Sequence, residues 1–365
     1  MYLHKLTLSN FKSYDEAEFL FCDKINCFVG DNGVGKTNLL DAIHYLAFCK
    51  SYFTSVDTYN IRHGQDFFAI HGLWAHGDQS DLLQCVQKKG QRKKFLLNKK
   101  EYDRLADHIG MIPLVMISPY DRDLINDGSE IRRKYIDSVI SQFDRIYLDD
   151  LINYNKALNQ RNALLKLFAE RQTFEPGSLD IWDEKLVLLG TLIHSKRRVF
   201  LEEFVPIFRK YYRIISGDSE TVDIRYVSQL HERPMKELLD ESLARDRMTQ
   251  FTSAGTHKDD LDFMMGDFPV KRYGSQGQQK SFVVAVKLAQ FDFTRNKKGF
   301  KPILLLDDVF DKLDDHRVEQ LIKLVSEDNF GQVFITDTQE EKMNRIFSRI
   351  PISHKIFRIP GDEVR

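Results

Sequence analysis

The sequence predicts an α/β fold that is interrupted by a long helical insertion, and three observations lead to this prediction. Short apolar or alternating segments, which are typical of β-strands, occur towards both ends of the chain. From about residue 129 to residue 212, apolar residues recur every three or four positions, as on one face of an α-helix. A glycine-rich segment joins a strand pattern to a helical pattern within the first α/β part, and it indicates the chemistry.

That segment fits the phosphate-binding pattern GxxxxGK[ST] at every fixed position, with the residues Gly30, Asp31, Asn32, Gly33, Val34, Gly35, Lys36 and Thr37. An apolar run at 25–29 precedes it and helical spacing at 38–46 follows it, so strand, loop and helix come in the required order. Glycines let the backbone turn tightly and direct its N–H groups at phosphate oxygens. Lys36 adds a positive charge, and Thr37 is the expected protein ligand of Mg²⁺. The loop therefore predicts a nucleotide site.

A second motif is an acidic pair at the end of a strand. Four apolar residues at 303–306 lead directly to Asp307 and Asp308, the form of a buried parallel strand whose carboxylates emerge at its C-terminal end. We expect Asp307 to hold Mg²⁺ directly or through water, and Asp308 to orient or deprotonate the attacking water. A core strand that ends in a helix cap is the competing interpretation. Lys36, Asp307 and Asp308 are thus the candidate catalytic residues, and Thr37 and Asp307 are the candidate metal ligands.

A third motif precedes the acidic strand by about 20 to 30 residues. The turn Ser275-Gln276-Gly277-Gln278 leads into a helix predicted over 283–293. Small and amide residues at a helix start indicate an anion-binding N-terminus, whereas ordinary capping by Ser275 is the alternative. The spacing to the acidic strand favours the first interpretation, because ATPases that dimerise head to tail across two nucleotides share it.

The domain organisation follows from these patterns. We expect residues 1–125 and 249–365 to form the N-terminal and C-terminal parts of one head, with a helical domain at 126–248 between them. A turn at Glu175-Pro176-Gly177 divides the helical stretch into two helices of about 30 residues, each about 45 Å long at 1.5 Å per residue. An antiparallel arm and a plain helical bundle both fit this pattern.

Composition limits the possible binding partners and the cellular location of the protein. The chain has 365 residues, a net charge of −1 and four scattered cysteines, so neither a globally basic surface nor a disulfide or zinc framework is predicted. The absence of a long apolar run and of a signal-peptide pattern predicts a cytoplasmic protein without a membrane segment. Polyanion binding would need local basic patches. One candidate lies at a predicted hairpin tip, and a solvated turn is its alternative; its residues are Lys88, Lys89, Arg92, Lys93, Lys94, Lys99 and Lys100. Lys50 is a second candidate.

Three further residues are given structural interpretations. Arg132 and Arg133 lie near the start of the helical stretch, and we prefer pairing with acidic residues of that domain over DNA contact. His257 is interpreted as a hydrogen-bonded histidine and not as a metal ligand, because no ligand spacing surrounds it.

The sequence resembles the RecF family, whose members are similar to the ABC-type ATPase heads of SMC proteins. The resemblance rests on the three motifs above and on four other stretches, namely 10–14, 128–137, 255–260 and 311–314. It implies an ABC-type, SMC-like ATPase head, that is, a P-loop NTPase, with an inserted α-helical arm domain.

The resemblance also implies a function and partners. It implies an ATP-dependent homodimer that binds single- and double-stranded DNA at gaps or junctions in recombinational repair and replication-fork recovery. With RecO and RecR, such a protein promotes loading of RecA on single strands coated with SSB. By position, 30–37 would bind ATP and Mg²⁺, and Asp314 would lie at the dimer interface. Ser275, Gly277 and Gln278 would reach the γ-phosphate in the opposing subunit.

Two departures from the family pattern suggest slow ATP turnover. Asp308 stands where glutamate is usual, and Asp337 stands where many relatives have a histidine. We therefore hypothesise a weak, DNA-stimulated ATPase that acts as a switch. The alternatives are an SMC-like architectural head, an ABC transporter ATPase subunit and a P-loop small-molecule kinase.

Overall fold

The computed structural model describes residues 1–217, 220–308, 330–348 and 352–362. The strands in this part of the chain are β1 (Tyr2–Phe11), β2 (Tyr14–Leu20), β3 (Ile25–Val29), β4 (Phe67–His76), β5 (Gln79–Lys88), β6 (Lys94–Leu97), β7 (Lys100–Glu101), β8 (Leu114–Ile117), β9 (Val222–Val227), β10 (Asp260–Met265), β11 (Phe268–Pro269), β12 (Ile303–Leu306), β13 (Val333–Asp337) and β14 (His354–Arg358). The α-helices are α1 (Lys36–Phe48), α2 (Asp123–Asn126), α3 (Ser129–Ser141), α4 (Arg145–Arg171), α5 (Gly177–Ser216), α6 (Met235–Thr249), α7 (Val270–Tyr273), α8 (Gln276–Lys298) and α9 (Glu340–Phe347).

Two compact units divide the chain: Met1–Asp121 with Gln290–Arg365, and Arg122–Ala289. The second unit begins near the expected boundary at 126, but it extends well beyond residue 248. The reason is packing around Phe282 near the start of α8, whose ring lies 4.7 Å from that of Phe208 on α5 and 5.1 Å from that of Phe263 on β10. These contacts, which join residues far apart in sequence, were not visible as a local pattern.

The first unit contains a parallel sheet with the strand order β14-β3-β13-β12-β8. Strands β3, β8, β12 and β13 are buried along their whole length, which explains their continuous apolar sequences. Leu306 pairs with Ile335, and Thr336 pairs with Phe28, so the C-terminal ends of β12, β13 and β3 lie side by side. The α/β prediction is confirmed.

An antiparallel sheet, in the order β2-β1-β4-β5-β6-β7, completes the first unit. Strands β4 and β5 pair along their whole length, and the basic residues from Lys88 to Lys94 lie around the β5–β6 turn, where the sequence predicted a hairpin tip. Gln332, which is 1% exposed, connects this sheet to the parallel one. Its side-chain amide exchanges two hydrogen bonds with the backbone of Leu3, at 2.8 and 2.9 Å, and donates a third to the carbonyl of Cys22.

The second unit is built on the helical hairpin of α4 and α5. The turn lies at the predicted position, but α5 has 40 residues and α4 has 27, so they span about 60 and about 40 Å. Contacts of Tyr154 with Gly190 and of Arg161 with Asp183 establish the antiparallel arrangement. Helix α6 packs against both helices, so the predicted arm is part of a small bundle within its own unit.

A buried arginine joins three segments of this unit. Arg197 on α5 is 2% exposed, and its guanidinium donates to Asp137 on α3 and to Asp259 and the carbonyl of Thr256 before β10, at 2.8 to 3.1 Å. Arg132 forms a bidentate pair with Asp260 at 2.6 and 2.9 Å. Arg133 donates to the carbonyl of Asp259 at 2.6 Å. Both α3 arginines therefore make structural contacts, as the sequence indicated, but the partners lie at 259–260, outside the predicted domain at 126–248, and Arg133 contacts a carbonyl and not an acidic side chain.

The substitution Arg197→Leu should lower the free energy of unfolding of the second unit by about 3 to 5 kcal/mol, because it leaves two carboxylates without their buried cation. Arg198→Leu is the matched control, since Arg198 is exposed and has Glu202 at 3.8 Å. It should cost less than about 0.5 kcal/mol. Denaturant unfolding followed by Trp182 fluorescence in a common Trp74→Phe background measures both. Equal effects of the two substitutions would contradict the assignment of Arg197.

Candidate nucleotide-binding site

The glycine loop lies between β3 and α1, as predicted. Gly30 and Gly35 have backbone φ values of +151° and +111°, which residues with a side chain rarely adopt. A Cβ atom on Gly30 would lie 2.1 Å from the carbonyl oxygen of Ile359, and one on Gly35 would lie 2.7 Å from Ser13 Oγ. Glycine is therefore required at both positions by backbone geometry and by space.

Lys36 begins α1 and folds back over the loop. Its side chain is largely buried, and Nζ donates to the carbonyls of Gly30 at 2.7 Å and Asp31 at 2.9 Å. The ammonium group is thus held at a small cleft of about 120 Å³, which is lined by Asn32, Gly33, Gly35, Lys36, Thr37, Asn38 and Asp308. Pockets that enclose drug-sized ligands measure about 300 to 1,000 Å³. The cleft that the described residues form in the first unit is smaller than this range and suits phosphate groups.

The acidic pair meets the loop through a hydrogen bond. Thr37 Oγ1 donates to Asp307 Oδ1 at 2.8 Å, although the two residues lie 270 positions apart. Thr336, at the end of β13, supports the pair: its hydroxyl accepts from the backbone N–H of Asp308 at 2.9 Å and lies 3.0 Å from Asp307 Oδ1. Sequence reasoning did not single out Thr336, whose signal was only its place at the end of an apolar strand. Asp308 adopts a φ of +46° and lines the cleft.

Burial makes the carboxyl group of Asp307 an unusually weak acid. Desolvation raises the pKa of its carboxyl to about 6, and the charge of Asp308 acts in the same direction. Hydrogen bonds from Thr37 and Thr336 and the charge of Lys36 oppose this rise. A divalent cation would stabilise the ionised form. Oxygen donors of this kind fit Mg²⁺. Among the described residues, no group of three or more His, Cys, Asp or Glu side chains could hold a metal ion by itself, so water and nucleotide oxygens would supply the remaining ligands.

Asp337 ends β13 next to this group. It is buried, its Oδ1 accepts from the backbone N–H of Gln339 at 2.8 Å, and its Oδ2 lies 4.0 Å from Lys342 Nζ. Its carboxylate therefore takes part in the local structure that follows the strand.

The Ser275 turn lies in the second unit. Helix α8 begins at Gln276, seven residues earlier than the predicted start at 283. The backbone N–H of Ser275 donates to Gln278 Oε1 at 2.7 Å, and the backbone N–H of Gln278 lies 3.2 Å from Ser275 Oγ. This reciprocal pair is a capping box, so the capping interpretation describes the geometry. Gly277 lies in the first turn of the helix. Asp311 and Asp314 lie outside the described residues.

The candidate basic residues differ in how far their side chains are exposed. Lys93 is engaged: Nζ lies 2.8 Å from Asp57 and donates to the carbonyl of Cys49 at 2.6 Å, with only 10% of its side chain exposed. Its inclusion among the candidate DNA contacts was therefore wrong, because it closes an internal ion pair. Lys89 pairs with Asp66 at 3.3 Å. The side chains of Lys50, Lys88, Arg92, Lys94, Lys99 and Lys100 are exposed.

His257 is a structural residue, as interpreted from the sequence. Its Nε2 donates to the carbonyl of Thr252 at 2.9 Å, and its Nδ1 accepts from the hydroxyl of Tyr154 at 2.8 Å. Burial lowers the pKa of the imidazole to about 4, so the ring is neutral at pH 7.

Comparison with known proteins defines the family. The family model described as "RecF/RecN/SMC N terminal domain" matches residues 2–356. A protein of Flavobacterium johnsoniae named DNA replication and repair protein RecF is 51% identical over 98% of this chain and 100% of its own length. One of Bacteroides fragilis with the same name is 49% identical over 100% and 98% of the two chains. The chain belongs to the RecF family.

Solved structures agree with this assignment to the RecF family. Structures of the recombination mediator protein RecF in the RecFOR pathway, named RecF-ATP and RecF-ATPrS, have TM-scores of 0.90 and 0.88 at 29% identity. Each comparison covers 100% of this chain and 98% of the other. An Smc head bound to a ScpA domain has a TM-score of 0.56 at 16% identity, which is a similarity of fold alone. None of the helices among the described residues has the length and apolar character that crossing a membrane requires.

The raised pKa of Asp307 predicts a stability gain for Asp307→Asn. An unfolded aspartate ionises near pH 3.8, whereas the folded group ionises near pH 6, so the folded state loses stability as the pH rises through this interval. Without nucleotide and Mg²⁺ at pH 7.5, Asp307→Asn should raise the free energy of unfolding by about 2 to 3 kcal/mol.

The gain should fall by about half at pH 5, because the wild-type carboxyl is then mostly protonated in the folded state. Denaturant titrations at both pH values measure it, with the exposed Asp78→Asn as the control. A gain that is absent at pH 7.5, or that does not depend on pH, would show that burial of Asp307 does not destabilise the ionised form.

Proposed function

We propose that this chain is a cytoplasmic, ATP-dependent DNA-binding protein of recombinational repair and replication-fork recovery. One observation carries the proposal: Thr37 and the buried Asp307 are joined at 2.8 Å beside the Lys36 ammonium, at a cleft of phosphate size. Membership of the RecF family supports it, because relatives are named DNA replication and repair proteins and a neighbour in structure is named RecF-ATP.

The residues at the cleft have distinct proposed roles. The N–H groups of 30–37 and the Lys36 ammonium would bind the phosphates, while Thr37 and Asp307 would hold Mg²⁺. The bound Mg²⁺ would neutralise phosphate charge and thereby favour attack at the terminal phosphorus. Asp308 orients a water molecule and accepts its proton. Its side chain is one methylene shorter than glutamate, which supports slow hydrolysis. DNA would stimulate this hydrolysis, which would reset a switch.

The size of the cleft supports a site that is completed by a second copy of the chain. At about 120 Å³ it leaves most of a nucleotide uncovered. Ser275, Gly277 and Gln278 at the start of α8 would supply the other half from the partner subunit, since a helix N-terminus binds anions. ATP binding would in this way promote dimer formation.

The proposed partners follow from the family. We propose single- and double-stranded DNA, with gaps and junctions as targets, and RecO and RecR as the proteins with which the dimer promotes RecA loading on SSB-coated strands. The neighbours in structure are described as belonging to the RecFOR pathway. An SMC-like architectural head is the second candidate, but helices of about 40 and 60 Å are too short to enclose DNA at a distance.

A mobility-shift experiment tests the proposal. Wild-type protein and Lys36→Met are compared on gapped, duplex and single-stranded DNA at fixed salt, with ATP or ADP and Mg²⁺. We expect ATP to strengthen DNA binding at least about tenfold in the wild type and not in Lys36→Met, because the variant lacks the phosphate-binding charge. Lys134→Met, which removes an exposed lysine at a surface ion pair, should behave as the wild type. A DNA affinity that depends neither on the nucleotide nor on Lys36 would contradict the switch mechanism.

The exposed lysines of the β5–β6 turn provide a separate prediction. If Lys88 and Lys94 contact phosphates, the double substitution to Gln should reduce the slope of log affinity against log salt on duplex DNA by about one to two units. Lys93→Gln should instead lower stability without changing the slope, because Lys93 is held in an internal ion pair. An unchanged slope in the double variant removes this turn from the DNA-contact surface.

A further inference from the structure

Both polar groups of the Gln278 side chain form a hydrogen bond within the second unit. Its Oε1 accepts from the backbone N–H of Ser275 at 2.7 Å, and its Nε2 donates to Glu220 Oε1 at 2.5 Å. In return, Ser275 Oγ lies within 3.2 Å of the backbone N–H of Gln278. A serine hydroxyl that accepts a hydrogen bond keeps its proton for donation to another oxygen. The Ser275 hydroxyl is thus available to donate to an anion, whereas the oxygen of the Gln278 amide and one of its N–H groups already have partners.

Glu220 is anchored on its other side by the long hairpin. Its Oε2 accepts from the hydroxyl of Tyr212 at 2.5 Å, and Tyr212 lies on α5 with 1% of its surface exposed. Glu220 also lies between the C-terminal end of α5 and the first residue of β9, Val222. One carboxylate therefore connects the end of the hairpin to the turn that begins α8.

The charges explain why glutamate suits this position. A hydrogen bond from an amide to a carboxylate is stronger than one to a neutral acceptor. The carboxylate also lies near the positive end of the α8 dipole, which stabilises it. Two donors, from Gln278 and Tyr212, satisfy its oxygens, so the group is held in place.

We propose that Glu220 is a positioning residue for the candidate nucleotide site: it fixes Gln278, which fixes Ser275, so that the Ser275 hydroxyl meets the terminal phosphate held by a second copy of the chain. This inference rests on the proposed function. It also revises the expectation that Gln278 itself reaches that phosphate.

Swapping the residue types at positions 278 and 220 tests the proposal. Gln278→Glu alone places two carboxylates against each other and breaks the Glu220 contact. The double variant Gln278→Glu with Glu220→Gln restores that contact with donor and acceptor reversed. The N–H of Ser275 and the hydroxyl of Tyr212 still donate to side-chain oxygens, because glutamate at position 278 also forms a capping box with Ser275. Glu237→Gln, an exposed carboxylate near the start of α6, is the control for a change of charge.

Two measurements are made on the full chain. Hydrogen exchange at 271–280 without nucleotide reports on the turn, and sedimentation with a slowly hydrolysed ATP analogue and Mg²⁺ reports on dimer formation. We expect Gln278→Glu to accelerate exchange and to weaken the dimer, each about tenfold, and the double variant to return both to within about threefold of the wild type. Thermal unfolding of the variants checks that the second unit remains folded.

The other outcomes overturn distinct parts of the proposal. Unchanged exchange in Gln278→Glu would show that Glu220 does not hold the turn. Restored exchange with a dimer that stays weak in the double variant would show that Gln278 contacts the phosphate directly. A wild-type chain that stays monomeric with the ATP analogue would overturn the proposed function, while the exchange data would still decide the role of Glu220.

Discussion

The parallel register of three strands is the constraint on which the candidate site depends. Because Leu306 pairs with Ile335 and Thr336 pairs with Phe28, the ends of β12, β13 and β3 coincide at one edge of the sheet. Asp307 can then accept from Thr37 across 270 positions of sequence. A slip of one residue in either pairing would turn these side chains to the opposite face of the sheet. The sheet thereby turns two distant motifs into one site.

The same arrangement lowers the stability of the nucleotide-free chain, and a bound ligand would offset this loss. Asp307 is removed from water and lies near Asp308, so its ionised form is unfavourable in the nucleotide-free chain. A bound cation would relieve this cost, and any ligand that binds only the folded state stabilises it further. Under the proposed function, stability and nucleotide binding are therefore linked at a single carboxylate. In the second unit, by contrast, carboxylates such as Asp137 and Asp259 are paired with the buried Arg197.

Local patterns explain which parts of this structure the sequence could predict. The strand before Gly30, the helix after it and the strand before Asp307 each appear as a short apolar or periodic run, and each is present. The place of β14 beside β3, the support from Thr336 and the ion pair that engages Lys93 depend on residues far apart in the chain. The same reason explains why α8 belongs in part to the second unit and why Glu220 had no signal. Spacing predicts which residues would bind phosphate, but pairing across the chain decides what holds them in place.

The central claim is that the nucleotide site is completed by a second copy of the chain, and Ser275→Arg tests it most directly. Ser275 lies in the second unit, at the start of α8, so the account predicts that the variant binds ATP with an affinity within about twofold of the wild type. It also predicts that the variant sediments as a monomer under conditions in which the wild type dimerises with a slowly hydrolysed ATP analogue and Mg²⁺. ATP-dependent dimers of Ser275→Arg, formed as readily as those of the wild type, would contradict the account.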